Sequence, residues 1–162
     1  MKILNDFSIS VILVMLSLAS GCQGQEPQKQ AVKKTETKVS IEHLTVATFK
    51  TKVFDYQNNK DWKFSGDKPC IIDFYADWCG PCRALAPTIE QIANEYNGKI
   101  NVYKVNVDEQ PELANTFGIS GIPAVLFCPQ TGKPQMSTGL ISKVDFVKAI
   151  KEILIVDTPK SN

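Results

Sequence analysis

Two thiols set two residues apart are the groups in this chain best suited to chemistry. They lie in Trp78-Cys79-Gly80-Pro81-Cys82-Arg83, directly after the apolar run Ile71-Ile72-Asp73-Phe74-Tyr75-Ala76. A Cys-x-x-Cys pair where a strand feeds a helix is placed for thiol–disulfide exchange. A zinc site would need further close-set Cys or His, and the single histidine, His43, is far away in the sequence.

Composition narrows the class of protein. The chain has 162 residues, 43% hydrophobic and 22% charged, enough for one domain with a core and a tail. A formal net charge of +1 offers no field for steering nucleic acid or an acidic substrate. Five cysteines are too few for a disulfide scaffold.

The first residues read as an export signal over 1–21. Lys2 precedes an apolar block from Phe7 to Ala19 that is too short for a comfortable membrane span. The block ends in Leu18-Ala19-Ser20-Gly21-Cys22, which resembles the processing box of bacterial lipoproteins. That resemblance implies that Cys22 is lipidated and becomes the first residue of the mature chain. An ordinary cleaved secretory signal and an uncleaved anchor are the alternatives. Gln23 to Lys38 is rich in Gln, Lys, Glu and Thr and too poor in apolar residues to fold alone, so 22–40 is expected to be a flexible tether. A folded domain over 41–157 and a short tail over 158–162 complete the organisation.

Within the domain, element types alternate. Thr45 to Phe54 reads as a helix capped by Thr45, and Tyr56 to Lys68 as a long polar loop pinned by Trp62. Cys70 to Ala76 is a dense apolar strand. A helix from about Cys82 to Tyr96 buries Leu85, Ile89, Ile92 and Ala93, with a kink expected at Pro87. Ile100 to Val107 suits a covered strand, Pro111 to Phe117 a short helix, and Ala124 to Cys128 another strand. Pro134 to Gly139 suits an edge strand, and Lys143 to Ile153 a final amphipathic helix buried through Phe146, Val147, Ile150 and Ile153. This order calls for an α/β fold, a mixed sheet with helices on both faces.

Four blocks in this order resemble the thioredoxin family. They are His43-Leu44-Thr45 with Phe49, Asp73 to Cys82, Lys104-Val105-Asn106-Val107-Asp108, and Phe117-Gly118-Ile119-Ser120-Gly121-Ile122-Pro123. The resemblance covers about the last three quarters of the chain and implies the thioredoxin fold. Two features depart from the family pattern: the length of Tyr56 to Lys68, and Tyr75 where a tryptophan is common.

The resemblance implies an exported thiol–disulfide oxidoreductase that reduces protein disulfides. Cys79, at a helix N-terminus where unpaired N–H groups and the dipole stabilise a thiolate, is the expected nucleophile, and Cys82 the resolving thiol. Gly80-Pro81 points to a reductant. Family reductants lie near about −270 mV and the periplasmic oxidant near about −120 mV, a gap of about 7 kcal/mol that fixes the direction of electron flow. By resemblance Asp73 lies behind Cys82 and takes its proton, with Lys104 as charge partner. An edge-exposed carboxylate and a solvated lysine are the bland alternatives for these two.

Trp78, Gly80, Pro81, Ile122 and Pro123 are the expected contact surface, with Pro123 resembling the family's cis proline beside the thiols and Ile122 leaving its backbone free for an extended substrate chain. Cys70 and Cys128, embedded in strands, read as inert core thiols, with a second bond between them as the alternative because the family sets their strands side by side. No cofactor is implied, and a monomer is expected. The implied partners are protein disulfides and, in the periplasm of a bacterial cell envelope, a membrane-bound thiol reductant; membrane association would run through the lipid at Cys22. An oxidase or isomerase of secreted proteins, and a binding module that merely keeps the fold, are the competing classes.

Overall fold

The computed structural model describes residues 39–155. The export signal, Cys22, the tether up to residue 38 and the tail at 158–162 lie outside the described residues.

A five-stranded mixed sheet carries the domain. Its strands are β1 (Glu42–His43), β2 (Cys70–Tyr75), β3 (Asn101–Asn106), β4 (Ala124–Cys128) and β5 (Gln135–Thr138), in the spatial order β1-β3-β2-β4-β5. The β1–β3 and β2–β3 pairs are parallel, and the β2–β4 and β4–β5 pairs antiparallel. The helices are α1 (Val46–Lys52), α2 (Gly80–Glu95), α3 (Pro111–Thr116) and α4 (Lys143–Ala149).

Because side chains alternate along a strand, β2 and β4 each feed two cores. Cys70, Ile72, Phe74, Ala124, Leu126 and Cys128 join Phe49 of α1 and Leu113 of α3 on one face. Ile71, Val125 and Phe127 join Leu85, Ile89 and Ile92 of α2 and Phe146 of α4 on the other. This is the expected mixed sheet with helices on both faces, and it is the thioredoxin fold.

Local chemistry sets the helix starts. The Thr45 hydroxyl accepts from the Thr48 N–H at 3.3 Å, and the Thr48 hydroxyl accepts from the Thr45 N–H at 2.8 Å, a reciprocal cap for α1. At α4 the Ser142 hydroxyl accepts from the Asp145 N–H at 3.2 Å. The loop after α1 is held by Trp62, whose ring lies 4.7 Å from that of Phe54, and by the Ser65 N–H donating to the Val53 carbonyl at 2.9 Å. Gly66 is required there for space. A Cβ on it would lie 2.6 Å from the Lys52 carbonyl oxygen and 2.7 Å from the Phe64 ring.

Three elements differ from expectation. Strand β1 was not anticipated, since two residues carry no pattern. Helix α2 begins at Gly80 and not near Cys82, because proline is accommodated in a first turn where its missing N–H has no partner to lose; the helix then runs through Pro87. After α4 the chain continues in a wider turn over Ile150–Leu154, closed by the Ile155 N–H on the Ile150 carbonyl at 2.9 Å. The extra residue in that turn rotates the face, so Leu154 is buried and Ile153 only half-buried.

Candidate active site

Strand β2 ends at Tyr75, and the chain reverses into α2 through a turn closed by the Cys79 N–H on the Ala76 carbonyl at 3.1 Å. The Arg83 guanidinium ties that turn by donating to the Asp77 carbonyl at 2.9 Å. Cys79 is the cap of α2, and its sulfur accepts from the Cys82 N–H at 3.1 Å. The two cysteines form a disulfide. Both are buried, against Ala76, with Tyr75, Val107 and Ile122 packed around them. The helix start therefore presents backbone N–H groups and the positive dipole end to the Cys79 sulfur. Gly80 and Pro81 are exposed beside it. A Cβ on Gly80 would meet only an Arg83 nitrogen, at 3.8 Å, so no close approach demands the glycine.

Asp73 is two residues before Tyr75 on the face of β2 that α2 covers. Its carboxyl is almost wholly buried, and among the described residues Oδ1 has no hydrogen-bond partner. Oδ2 lies 3.8 Å from the Lys104 ammonium, a charge contact longer than a hydrogen bond. Burial pushes the carboxyl up to about 6, opposed by the Lys104 charge. The parallel register explains the pair, since Asp73 on β2 stands beside Lys104 on β3. Lys104 is largely withdrawn from water and lies 4.4 Å from the centroid of the Tyr75 ring. The solvated-lysine and exposed-carboxylate alternatives do not describe these residues.

Trp78 is 68% exposed next to the disulfide, and its indole N–H donates to Asp108 at 2.8 Å. Beside it runs an open groove of about 460 Å³, lined among others by Trp78, Val107, Pro111, Ile119, Gly121 and Ile122. The Ile122–Pro123 peptide is cis. Ile122 packs against the cysteine cluster, and Pro123 is buried. Cys79, Cys82 and Ile122 thus share one cluster, Trp78 and Ile122 line one groove, and Asp73 and Lys104 form a separate buried pair on the neighbouring strands.

Cys70 and Cys128 face each other in the β2–β4 register at the start of β2, as free, buried thiols. Burial pushes the Cys128 thiol well above its ordinary value, with a hydrogen bond to Cys70 acting in the same sense. Among the described residues no cluster of three or more His, Cys, Asp or Glu is arranged to hold a metal ion, and no helix is long and apolar enough to cross a membrane.

Sequence reasoning did not assign three contributors. Asp108 orients Trp78, Tyr75 meets Lys104, and His43 lies 3.2 Å from the Tyr75 hydroxyl through Nδ1. Asp108 was visible only as the end of the Lys104 block, Tyr75 as a departure, and His43 as part of an opening motif.

Comparison with known proteins agrees with this geometry. The thioredoxin family model matches residues 40–152, more than half of the chain. Thioredoxin from Borreliella burgdorferi (strain ATCC 35210 / DSM 4680 / CIP 102532 / B31) is 44% identical over 109 residues, covering 67% of this chain and 93% of that protein. Thioredoxin 1 from Nostoc sp. (strain PCC 7120 / SAG 25.82 / UTEX 2576) is 38% identical over 111 residues, covering 68% and 94%. The crystal structure of chloroplastic thioredoxin z superposes with a TM-score of 0.58 at 27% identity, over 69% of this chain and 92% of that one. A disulfide capping the helix that leaves the central strand of this sheet is what thiol–disulfide exchange requires, and the family match over most of the domain agrees with it: the chain belongs to the thioredoxin family.

Proposed function

We propose that this thiol–disulfide oxidoreductase is exported and works mainly as a reductant of protein disulfides. The observation that carries the chemistry is the Cys79–Cys82 disulfide at the N-terminus of α2, with the Cys82 N–H on the Cys79 sulfur. In the reduced protein, the Cys79 thiolate attacks one sulfur of a substrate disulfide. A new S–S bond forms as the old one breaks, and the displaced sulfur leaves as a thiolate that takes a proton. Cys82 then loses its proton, with Asp73 as acceptor and Lys104 as its charge partner, and attacks the Cys79 sulfur; the Cys79–substrate S–S bond breaks and the second substrate sulfur leaves as a thiolate that takes a proton. The products are a reduced dithiol and the Cys79–Cys82 disulfide. Two electrons and two protons from a donor dithiol restore the cycle.

Trp78, Gly80, Pro81, Ile122 and Pro123 would form the contact surface, with an extended substrate chain lying along the groove and pairing with the backbone at Ile122. The Gly80-Pro81 pair supports the reductant direction. Export rests on the sequence alone: the apolar block within 1–21, Cys22 as lipid acceptor, and a polar tether over 22–40 leading to the domain at 41–157, with the tail at 158–162. In a bacterial periplasm the donor would be a membrane-bound thiol reductant.

The test is the redox potential of the Cys79–Cys82 couple together with reduction of insulin-type disulfides. A low potential, and activity that needs both cysteines, is expected. A potential far above the reductant range would make the protein an oxidase or isomerase. Mass spectrometry of the mature N-terminus tests the lipoprotein reading; a water-soluble product starting after Cys22 without lipid would reject it and leave the redox chemistry intact.

A further inference from the structure

Tyr75 stands where three sets of contacts meet. Its ring packs against the cluster of Ala76, Cys79 and Cys82. The Lys104 ammonium lies 4.4 Å from the ring centroid. The phenol oxygen is 3.2 Å from His43 Nδ1, and the imidazole meets the ring edge-on, with centroids 5.8 Å apart and planes at 89°.

The sheet explains this convergence. His43 on β1 is in register with Lys104 on β3, and Lys104 with Asp73 on β2, so the three form one row across parallel strands. Tyr75, two residues beyond Asp73, shares its face of the sheet and lies one step nearer the cysteines. On the far side of Asp73 strand β4 contributes Val125, which is apolar and has no charge to offer. Helix α2 contributes Glu90, which lines a crevice of about 390 Å³ together with His43 and Lys104. Asp77 and Glu109 act on the phenol through their charge.

At 3.8 Å the Lys104 ammonium makes a charge contact with Asp73 but no hydrogen bond, so the direction of the ammonium is left to a second constraint. The ammonium is strongly hydrated and its stem is flexible. The electron-rich face of Tyr75 supplies that constraint, since a desolvated cation is attracted to an aromatic face. We infer that Tyr75 is a positioning residue of the exchange cycle: its ring holds the Lys104 ammonium against Asp73, and His43, on the edge strand, fixes the ring through its phenol. The inference deepens the proposed role of Asp73 as proton acceptor and rests on it for its meaning in the cycle.

The decisive measurement is the Asp73 carboxyl titration by carbon-13 NMR in the full-length oxidised protein, which requires no turnover. Tyr75→Leu should move the midpoint upward by about half a pH unit, the equivalent of a lost cation–π contact. In a Lys104→Met background the same substitution should move it no further, because the effect runs through the ammonium. Tyr75→Phe keeps the ring and should move it less than Tyr75→Leu. His43→Ala should match Tyr75→Phe, and the two together should equal either alone. An unchanged midpoint in Tyr75→Leu, or an equal shift with and without Lys104, overturns the inference; independent effects of His43→Ala and Tyr75→Phe overturn the His43 limb. The pH dependence of resolution by Cys82, followed by rapid mixing of the reduced protein with a substrate disulfide, should follow the NMR midpoints across the series. If Asp73→Asn leaves that dependence unaltered, the acceptor role of Asp73 fails, whereas the coupling among Tyr75, Lys104 and Asp73 stands or falls on the titration.

Discussion

The Cys79 sulfur accepts a hydrogen bond from the backbone N–H of Cys82, so the first cysteine of the pair both closes the disulfide and caps the helix carrying its partner. A main-chain donor survives any change of the Cys82 side chain. The stabilisation of a Cys79 thiolate is therefore separable from the presence of the second thiol.

From this follows a trapping experiment. Cys82→Ser should accumulate a mixed disulfide with partner proteins, because attack by Cys79 proceeds and resolution does not. Cys79→Ser should accumulate none. Equal trapping on non-reducing gels would overturn the assigned roles.

Asp73 makes stability depend on pH in a particular sense. Its folded value, about 6, lies above the ordinary 3.8, so the folded state binds this proton more tightly than the unfolded state does. The penalty of ionising it in the core is absent below the ordinary value and complete above about 6, where it reaches about 3 kcal/mol. Asp73→Asn should accordingly raise the unfolding free energy at pH 7.5 by up to about 3 kcal/mol, with a matching rise in the denaturant midpoint, and change both little at pH 3.5. The same substitution should remove an inflection near about 6 from the pH–rate profile of disulfide reduction. Stability curves at the two pH values and rates across the range check both statements.

Asp108 fixes an indole that is otherwise free to swing. Asp108→Ala should raise KM for a folded protein disulfide about five-fold, the value of roughly 1 kcal/mol for one hydrogen bond, while leaving the rate with a small aromatic disulfide unchanged. Steady-state kinetics with the two substrates make the comparison. A parallel loss with both would show that Trp78 acts on the thiols and not on the partner.

Gly66→Ala places a methyl against the Lys52 carbonyl at the end of α1. Since a backbone oxygen cannot rotate away, the loop carrying Trp62 must shift, and a loss of about 1–3 kcal/mol is expected. Chemical denaturation measures it, and the redox potential of Cys79–Cys82 should not move.

How much was legible in the sequence depended on where the determining forces lie. Ala124–Cys128 is fixed by a continuous apolar run buried on both faces, and its limits are the same read either way. Leu85, Ile89, Ile92 and Ala93 follow helical spacing and are buried as expected. The apolar period reaches back only to about Cys82 because Gly80-Pro81 carries none, although Cys79 at the helix N-terminus already pointed to the observed start; the burial of Leu154 did not follow because the last turn is wider than 3.6 residues. The row of His43, Lys104 and Asp73 depends on register across three strands, which a linear pattern does not specify. Asp73 itself was readable as a carboxylate inside an apolar strand; that Tyr75 would face the lysine was not.

Strand β2 has cysteines at its first residue and just past its last, and only the pair past its last caps a helix. Cys70, at its first residue, and Cys128 opposite are sealed in the core, while the Cys79–Cys82 pair follows its last. The domain thus contains its own reference for thiol labelling. An alkylating reagent added to the folded, reduced domain should label Cys79, the thiol expected to carry the thiolate, ahead of the others, and the same reagent after unfolding should label Cys82, Cys70 and Cys128 as well, so the ratio of the two readings reports the fraction reduced without any knowledge of protein concentration.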